Sequence, residues 1–265
     1  MAQLITSSQN RYIKQANQLK KRSHRDKCQE FLIEGFRELS RAATGQVHIE
    51  ILFICPSLFL GENEDKLIQK IADKQALVLE IPEFLFKKLS FRDRPDGLLA
   101  IAKQRHLTLG DLVLPENALL VVAEAIEKPG NLGTILRTSD GVGADALIIV
   151  DRCTDLFNPN VVRASVGTCF TIPVVETSSE ELFSWLEEKK IDIVATTPHC
   201  DLVYTKADLR RSIAIALGTE QYGLSEKWLD KAKIKVNIPM NGVADSLNVA
   251  MAATLCLYEA LRQRN

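Results

Sequence analysis

Apolar residues recur along this chain with two different periods. Short, nearly continuous apolar runs at residues 49–55, 119–125, 146–150 and 213–217 read as strands buried on both faces. Between such runs lie segments whose apolar positions return every three or four residues, as at 64–73, 180–190 and 247–262, and these read as amphipathic helices. Further helices are expected at 8–22, 36–43, 83–89, 132–141, 161–167 and 226–233, with strands at 31–35, 76–81, 97–102, 173–176, 191–196 and 234–238. Ser178 or Ser179, Ser225 and Ser246 stand where helix N-caps are expected. Strands alternating with helices imply an α/β protein with a mostly parallel sheet in its second part. Gly110, Pro115 and Asn117 punctuate residues 106–117, which read as a linker between a small α/β domain, 1–105, and a larger one, 118–265.

Composition narrows the class. Of 265 residues, 46% are hydrophobic and 25% charged, an ordinary globular balance. No apolar run approaches the ~20 residues that span a bilayer, and the first residues lack the basic and apolar regions of a signal peptide, so none is expected. The six cysteines form no CxxC pair and the four histidines are dispersed, so no metal site is expected. Several cysteines sit in apolar runs, as reduced, core-filling thiols of a cytoplasmic protein would. A net charge of −1 argues against a general polyanion binder. The first 41 residues nevertheless hold nine Lys and Arg against four Asp and Glu. There Arg11, Lys14, Lys20, Lys21, Arg22 and Arg25 form a basic patch able to meet phosphates, or else a solvated helix face.

Two nucleotide fingerprints are absent. Pro129-Gly130-Asn131-Leu132-Gly133 fails the G-x-G-x-x-G spacing, and no GxxxxGK[ST] occurs. Three other loops, rich in Gly and small polar residues, each lead from an expected strand into an expected helix. The first runs from Glu127 to Arg137, the second from Gly218 to Ser225 and the third from Ile238 to Val249. In a parallel sheet such loops lie beyond the strand C-termini, where ligands bind, and glycine lets backbone approach a ligand closely. Asn131 suits an N-cap. Arg137 lies six residues on and need not share its face, and Glu220 falls in the second loop. Ser246 opens the last helix, where free backbone N–H groups could hold an anion.

Taken together, Asn131-x-Gly133-x3-Arg137, Gly218-Thr219-Glu220-x2-Gly223-Leu224 and Ile238-Pro239-Met240-x-Gly242-x3-Ser246-Leu247-Asn248-Val249 resemble the three motifs of the SpoU (TrmH) RNA 2′-O-ribose methyltransferases of the SPOUT superfamily. Arg163-Ala164-Ser165-Val166-Gly167 is similar to the family's intermediate Ser/Gly element, and the first domain resembles the L30e-like ribosomal-protein fold of the substrate-binding domain fused ahead of such enzymes. The resemblance implies a C-terminal trefoil knot, an exception to the rule of unthreaded connections. It implies S-adenosylmethionine held by Gly218, Ile238 and Leu247 through backbone, with Met240 and Thr196 nearby. It also implies a homodimer whose active site lies at the subunit interface.

On this resemblance the expected reaction moves a methyl group to a ribose 2′-hydroxyl of RNA. Large-subunit ribosomal RNA is the preferred substrate, with transfer RNA or a catalytically silent RNA-binding assembly factor as the alternatives. The resemblance points to Arg137 as the base, with Asn131, Ser246 and Asn248 positioning it and the ribose. A guanidinium holds its proton far above neutral pH, so Arg137 either loses it transiently or only orients a phosphate while Glu220 or water accepts the proton.

Overall fold

The computed structural model describes residues 2–45 and 47–265. In its first 105 residues it forms β1 (Gln3–Leu4), α1 (Arg11–Gln18), α2 (Arg22–Cys28), β2 (Glu30–Glu34), α3 (Phe36–Thr44), β3 (Ile49–Ile54), α4 (Glu64–Ala72), β4 (Leu77–Glu80), α5 (Glu83–Leu89) and β5 (Leu98–Lys103). The remainder forms β6 (Leu119–Glu124), α6 (Pro129–Gly141), β7 (Ala146–Val150), α7 (Pro159–Ala164), β8 (Val174–Thr177), α8 (Ser179–Lys189), β9 (Asp192–Thr196), β10 (Ile213–Leu217), α9 (Glu226–Lys231), β11 (Ile234–Val236) and α10 (Val249–Arg264). Two compact units result. One joins Met1–Arg105 with Asp155–Thr171, and the other comprises His106–Thr154 and Ile172–Asn265.

The first unit has a five-stranded sheet ordered β1-β4-β3-β5-β2, in which β5 runs antiparallel to both its neighbours. One core gathers Leu32, Phe53, Leu79, Phe86 and Leu99 from the sheet and α5, with Ile13 and Ala16 from α1. The helix expected over 8–22 ends at Gln18, and after a break at Leu19 to Lys21 a second helix, α2, runs from Arg22 to Cys28. Asn10 starts α1 by accepting the Tyr12 N–H at 2.9 Å. The segment Asp155–Thr171 packs into this unit through Phe31, whose ring lies 4.8 Å from that of Phe157 and 5.8 Å from that of Phe170.

A buried charge pair explains the break between the helices and corrects one expectation. Arg25 is not on a phosphate-facing patch: it is 2% exposed. Its Nε and Nη2 donate to Asp155 Oδ2 at 2.9 and 2.6 Å, and its Nη1 donates to the carbonyls of Leu19 and Lys20 at 2.8 and 3.0 Å. Asp155 Oδ1 accepts the Phe157 N–H at 2.9 Å. A guanidinium that cannot shed its charge is tolerated in a core only when its donors are matched in this way. Lys20 is also partly committed: its ammonium donates to the Lys88 carbonyl at 2.9 Å and lies 5.1 Å from the Phe91 ring. Burial pulls its pKa below the usual lysine value, against an opposing pull from Glu34. Arg11, Lys14, Lys21 and Arg22 are exposed, with Arg22 paired to Asp26 at 3.6 Å.

The second unit is built on a six-stranded sheet ordered β11-β9-β10-β6-β7-β8, with every pair parallel. Its strands carry the continuous apolar runs because helices cover both faces. Residues 106–117, read from the sequence as a linker, contribute to this unit's core. Leu109 is buried in it, Leu107, Leu112 and Leu114 pack against it, and Leu107 bridges Val175. The apolar area of these leucines is what ties the segment down.

Helix α10 packs on α6 and β10. Its end is fixed by Arg264, which donates to the carbonyls of Leu209 (3.0 Å), Asn117 (2.6 Å), Arg211 (2.5 Å) and Ala118 (3.3 Å). Gln263 accepts the Leu209 N–H at 2.9 Å and donates to the Ala207 carbonyl at 2.9 Å. Among the described residues no helix is long and apolar enough to cross a membrane.

Replacing Asp155 by Ala leaves Arg25 charged and unmatched, and the expected loss is about 3–5 kcal/mol in chemical denaturation. The double change Arg25→Met with Asp155→Leu removes both charges and is expected to restore most of that loss. A single-variant denaturation midpoint equal to the unmodified protein's would show that the pair is not holding the first unit together.

Candidate functional site

In the six-stranded sheet the chain runs outward from β6 through β7 to β8, then returns to place β9, β10 and β11 on the other side of β6. The direction of winding therefore reverses between β6 and β10. Loops leaving the C-terminal ends of such a strand pair diverge and leave a crevice. The first two motif loops leave these two strands.

The crevice is tied together by one chain of side chains. Asn131 Nδ2 donates a short hydrogen bond to Glu220 Oε1. Asn248 Nδ2 donates to Asn131 Oδ1 at 3.2 Å, and Asn248 Oδ1 accepts the Ala250 N–H at 3.0 Å to cap α10. Residues from all three motifs thus meet, although Asn131 and Glu220 lie 89 positions apart and Asn131 and Asn248 lie 117 apart. The other Glu220 oxygen, Oε2, is buried with no hydrogen-bond partner among the described residues.

Two sequence-based cap assignments change here. Pro129 occupies the first turn of α6 and Lys128 is its N-cap, so Asn131 lies inside the helix with its amide free to reach Glu220. Asn248, rather than Ser246, caps α10. Ser246 is exposed and has no hydrogen-bond partner among the described residues, and the helix begins two residues later with the Asn248 side-chain oxygen on the Ala250 N–H.

The loop carrying Glu220 is held by backbone geometry. Thr219 and Gly223 exchange two backbone hydrogen bonds of 3.0 Å each, and Gly223 adopts φ 70°. A Cβ on Gly218 would overlap the Gly223 carbonyl carbon and the Leu224 nitrogen, so only glycine fits where the loop folds back. Ser225 sits at the N-cap of α9 without capping it. Its hydroxyl donates to Glu124 Oε1 at 2.5 Å and its N–H to Glu124 Oε2 at 2.8 Å. Glu124, at the end of β6 and only 4% exposed, thereby anchors the far side of the loop. Reasoning from sequence overlooked this residue. Its one signal was a carboxylate closing the otherwise apolar run Leu119 to Ala123.

Ile238, Thr196 and Gly218 stand at or just beyond the C-terminal ends of the neighbouring strands β11, β9 and β10. The Thr196 hydroxyl donates to the Ala216 carbonyl at 2.9 Å, so its polar group is used within the sheet. Ile238, Met240 and Leu247 are half-buried. Arg137 stands apart from the network. It is exposed and unpaired among the described residues, and helix geometry sets it about 9 Å along the axis and roughly 120° around it from Asn131. Beside α6 lies α10, joined to it by a 3.1 Å bond between the hydroxyls of Thr138 and Thr254. On α10, Met251, Leu255 and Tyr258 form an exposed stripe, 61%, 37% and 50% exposed.

The site offers an unmatched carboxylate oxygen, close-approach backbone and partly apolar walls. Among the described residues no three His, Cys, Asp or Glu side chains converge to hold a metal ion. Burial pushes the Cys256 thiol up to about 12, which leaves it inert as a nucleophile.

Comparison with known proteins matches residues 118–258 to the SpoU rRNA Methylase family and residues 10–100 to the MRM3-like substrate binding domain. The chain is 31% identical to the 23S rRNA (uridine(2479)-2′-O)-methyltransferase of Streptomyces viridochromogenes, with 99% of this chain and 93% of that protein covered. It is 27% identical to the 23S rRNA (guanosine(2553)-2′-O)-methyltransferase of Bacillus subtilis, with 96% and 97% covered. The AdoMet-bound rRNA methyltransferase from Sinorhizobium meliloti superposes with a TM-score of 0.90 at 31% identity, covering 98% of each chain.

Gly218→Ala is expected to cost about 1–3 kcal/mol through overpacking against the loop backbone. Glu124→Ala is expected to cost a similar amount, about 1–3 kcal/mol, by stripping two donors of their acceptor. Thermal unfolding of both variants checks this, and an unchanged melting temperature for Gly218→Ala would contradict the described loop.

Proposed function

This chain belongs to the SpoU rRNA methylase family, and from that premise we propose that it methylates a ribose 2′-hydroxyl of large-subunit (23S-type) ribosomal RNA with S-adenosylmethionine. The observation that carries this reading is the Asn248–Asn131–Glu220 chain, which draws the three motifs into one crevice and leaves a carboxylate oxygen unmatched. The residues present fit the cofactor. Gly218, Ile238 and Leu247 would hold it through backbone, Met240 and the Thr196 methyl would add apolar surface, and Glu220 Oε2 is an unmatched anionic acceptor near a place for a cation. When bound, S-adenosylmethionine supplies an electrophilic methyl on a positively charged sulfur.

The protein's part is alignment and proton removal. Arg137, a permanent cation, would grip the phosphate next to the target ribose and stabilise negative charge growing on the 2′-oxygen. Glu220 Oε2 would take the hydroxyl proton, and Asn131 and Asn248 would keep that carboxylate in place. Ser246, exposed beside Asn248, would contact the sugar. The requirement for a 2′-hydroxyl selects RNA over DNA.

A homodimer completes the reading. Met251, Leu255 and Tyr258 are an apolar stripe without a covering partner in a single chain, and α6 with Arg137 lies alongside. Seating a second copy there would let Arg137 of the partner subunit serve this crevice, consistent with its separation from Asn131. Two further proposals accompany the fold. The insertion of β10 between β9 and β6, with α10 pinned at residues 207–211, suits a C-terminal trefoil knot. The mixed sheet of the first unit suits the L30e-like class. The free thiols suit a reducing, cytoplasmic setting.

The deciding experiment incubates the protein with labelled S-adenosylmethionine and ribosomal RNA from a strain lacking it, then maps the modified ribose. Cofactor binding without transfer to any ribosomal RNA would sink the enzymatic reading. Arg137→Lys is expected to lower turnover at least tenfold while sparing cofactor affinity, because a point charge cannot replace the planar fork. Charge reversal of Lys21 and Arg22 is expected to weaken RNA binding, with a shallower salt dependence and unchanged cofactor affinity. Leu255→Asp with Tyr258→Asp is expected to give monomers in sedimentation and to abolish transfer.

A further inference from the structure

The first unit holds none of the residues assigned to methyl transfer, yet it contains a cavity of about 620 Å³. That volume lies within the range of small-ligand sites, roughly 300–1,000 Å³. Glu38 and Asp96 line it, at 3% and 7% exposure. Each uses only one oxygen within the protein. Glu38 Oε1 pairs with Arg92 Nη2 at 2.7 Å, and Asp96 Oδ2 accepts the Phe36 N–H at 2.8 Å. Glu38 Oε2 and Asp96 Oδ1, and the Arg92 Nε beside them, are buried with no partner among the described residues. Two unmatched buried acceptors beside one unmatched donor, on residues that line one cavity, call for a ligand that presents N–H groups together with an acceptor. Gly35, at φ 111°, lets the backbone pack against this pair, since a Cβ there would overlap Glu38 Oε2 and Arg92 Nη2. Burial pushes the Glu38 carboxyl above its usual range despite Arg92, as expected of a carboxylate short of donors.

The rest of the lining has the opposite character. Arg37 and Arg163 are exposed and unpaired among the described residues, and Phe36 offers a half-buried ring. Glu64 does not compete for the ligand, because its Oε1 accepts the N–H groups of Leu60 and Gly61 at 3.2 and 2.9 Å. The required ligand is therefore flat, bears adjacent N–H donors on one edge and carries anionic groups outside. Guanine presents a ring N–H beside an amino group. Adenine and cytosine place a ring acceptor beside their amino group, which would face a carboxylate lone pair to lone pair, and uracil has one N–H between two carbonyls. A basic peptide would satisfy the carboxylates but meet Arg37 and Arg163 with like charge.

We infer that this cavity receives one unstacked guanine nucleotide of the RNA, its Watson–Crick edge on Glu38 and Asp96, its ring against Phe36 and its phosphates on Arg37 and Arg163. The inference rests on the RNA-methylation reading for the choice of a polymer rather than a free nucleotide.

The test measures fluorescence anisotropy of the full-length protein with labelled 5′-UUGUUU and the same strand carrying adenosine or inosine for guanosine. About tenfold tighter binding of the guanosine strand than the adenosine strand is expected, with inosine, which lacks the amino group, in between. Glu38→Gln and Asp96→Asn, each checked for an unchanged melting temperature, are expected to shrink that preference to about twofold. Arg37→Ala with Arg163→Ala should weaken all three strands together. Equal affinity for guanosine and adenosine strands in the unmodified protein overturns the inference, as does a preference that survives both carboxylate variants. Methyl transfer to ribosomal RNA assayed on the same preparations separates the two readings. Transfer with no guanosine preference sinks this site alone, and a carboxylate-dependent preference without transfer sinks the enzymatic reading alone.

Discussion

The catalytic unit depends on β10 lying beside β6, because the winding of the sheet reverses between these two strands and opens a crevice beyond their ends. The loops leaving β6 and β10 start as neighbours and then part. The Asn131–Glu220 bond spans them, and Asn248 adds the entrance of α10 to the same chain of contacts. Glu124 works on the other side of the β10 loop, so the loop is held from both flanks while Gly218 lets it fold back on itself. A rigid mount of this kind suits a site whose main task is to align two reactants.

Buried charge is used in two different ways. At Arg25 and Asp155 the donors and acceptors are matched, and the pair fixes the segment after β7 into the first unit. At Glu38, Asp96 and Glu220 one carboxylate oxygen of each is left over. Matched groups of this kind hold a fold, and leftover acceptors in a low-dielectric setting are where a ligand gains most from supplying a donor. The same distinction separates Arg25, spent on structure, from Arg37, Arg137 and Arg163, which face solvent.

The helix α10 serves two surfaces at once. Its buried side packs on α6 and β10 and is pinned at the end by Arg264, whose pKa burial lowers against the pull of Asp145. Its other side presents Met251, Leu255 and Tyr258. A helix fixed at both ends in this way also holds those exposed side chains in place.

The amino-acid sequence by itself determined the alternation of strands and helices, since that follows from local periodicity. The continuous runs at β7 and β10 match their observed bounds, Ala146–Val150 and Ile213–Leu217. It also determined the family, because three motifs with fixed spacing survive without knowledge of distance. Long-range contact decided the rest. Whether Arg25 meets RNA or Asp155 depends on a residue 130 positions away, and no local pattern reports it. Residues 106–117 look like a linker until the core of the second unit claims their leucines. Asn131 and Ser246 both fit the local rules for N-caps, but Asn131 is engaged by Glu220, 89 positions away, and Asn248, two residues beyond Ser246, takes the cap of α10. Side-chain partners at such separations are set by how the sheet is ordered, and strand order is a property of the folded chain alone.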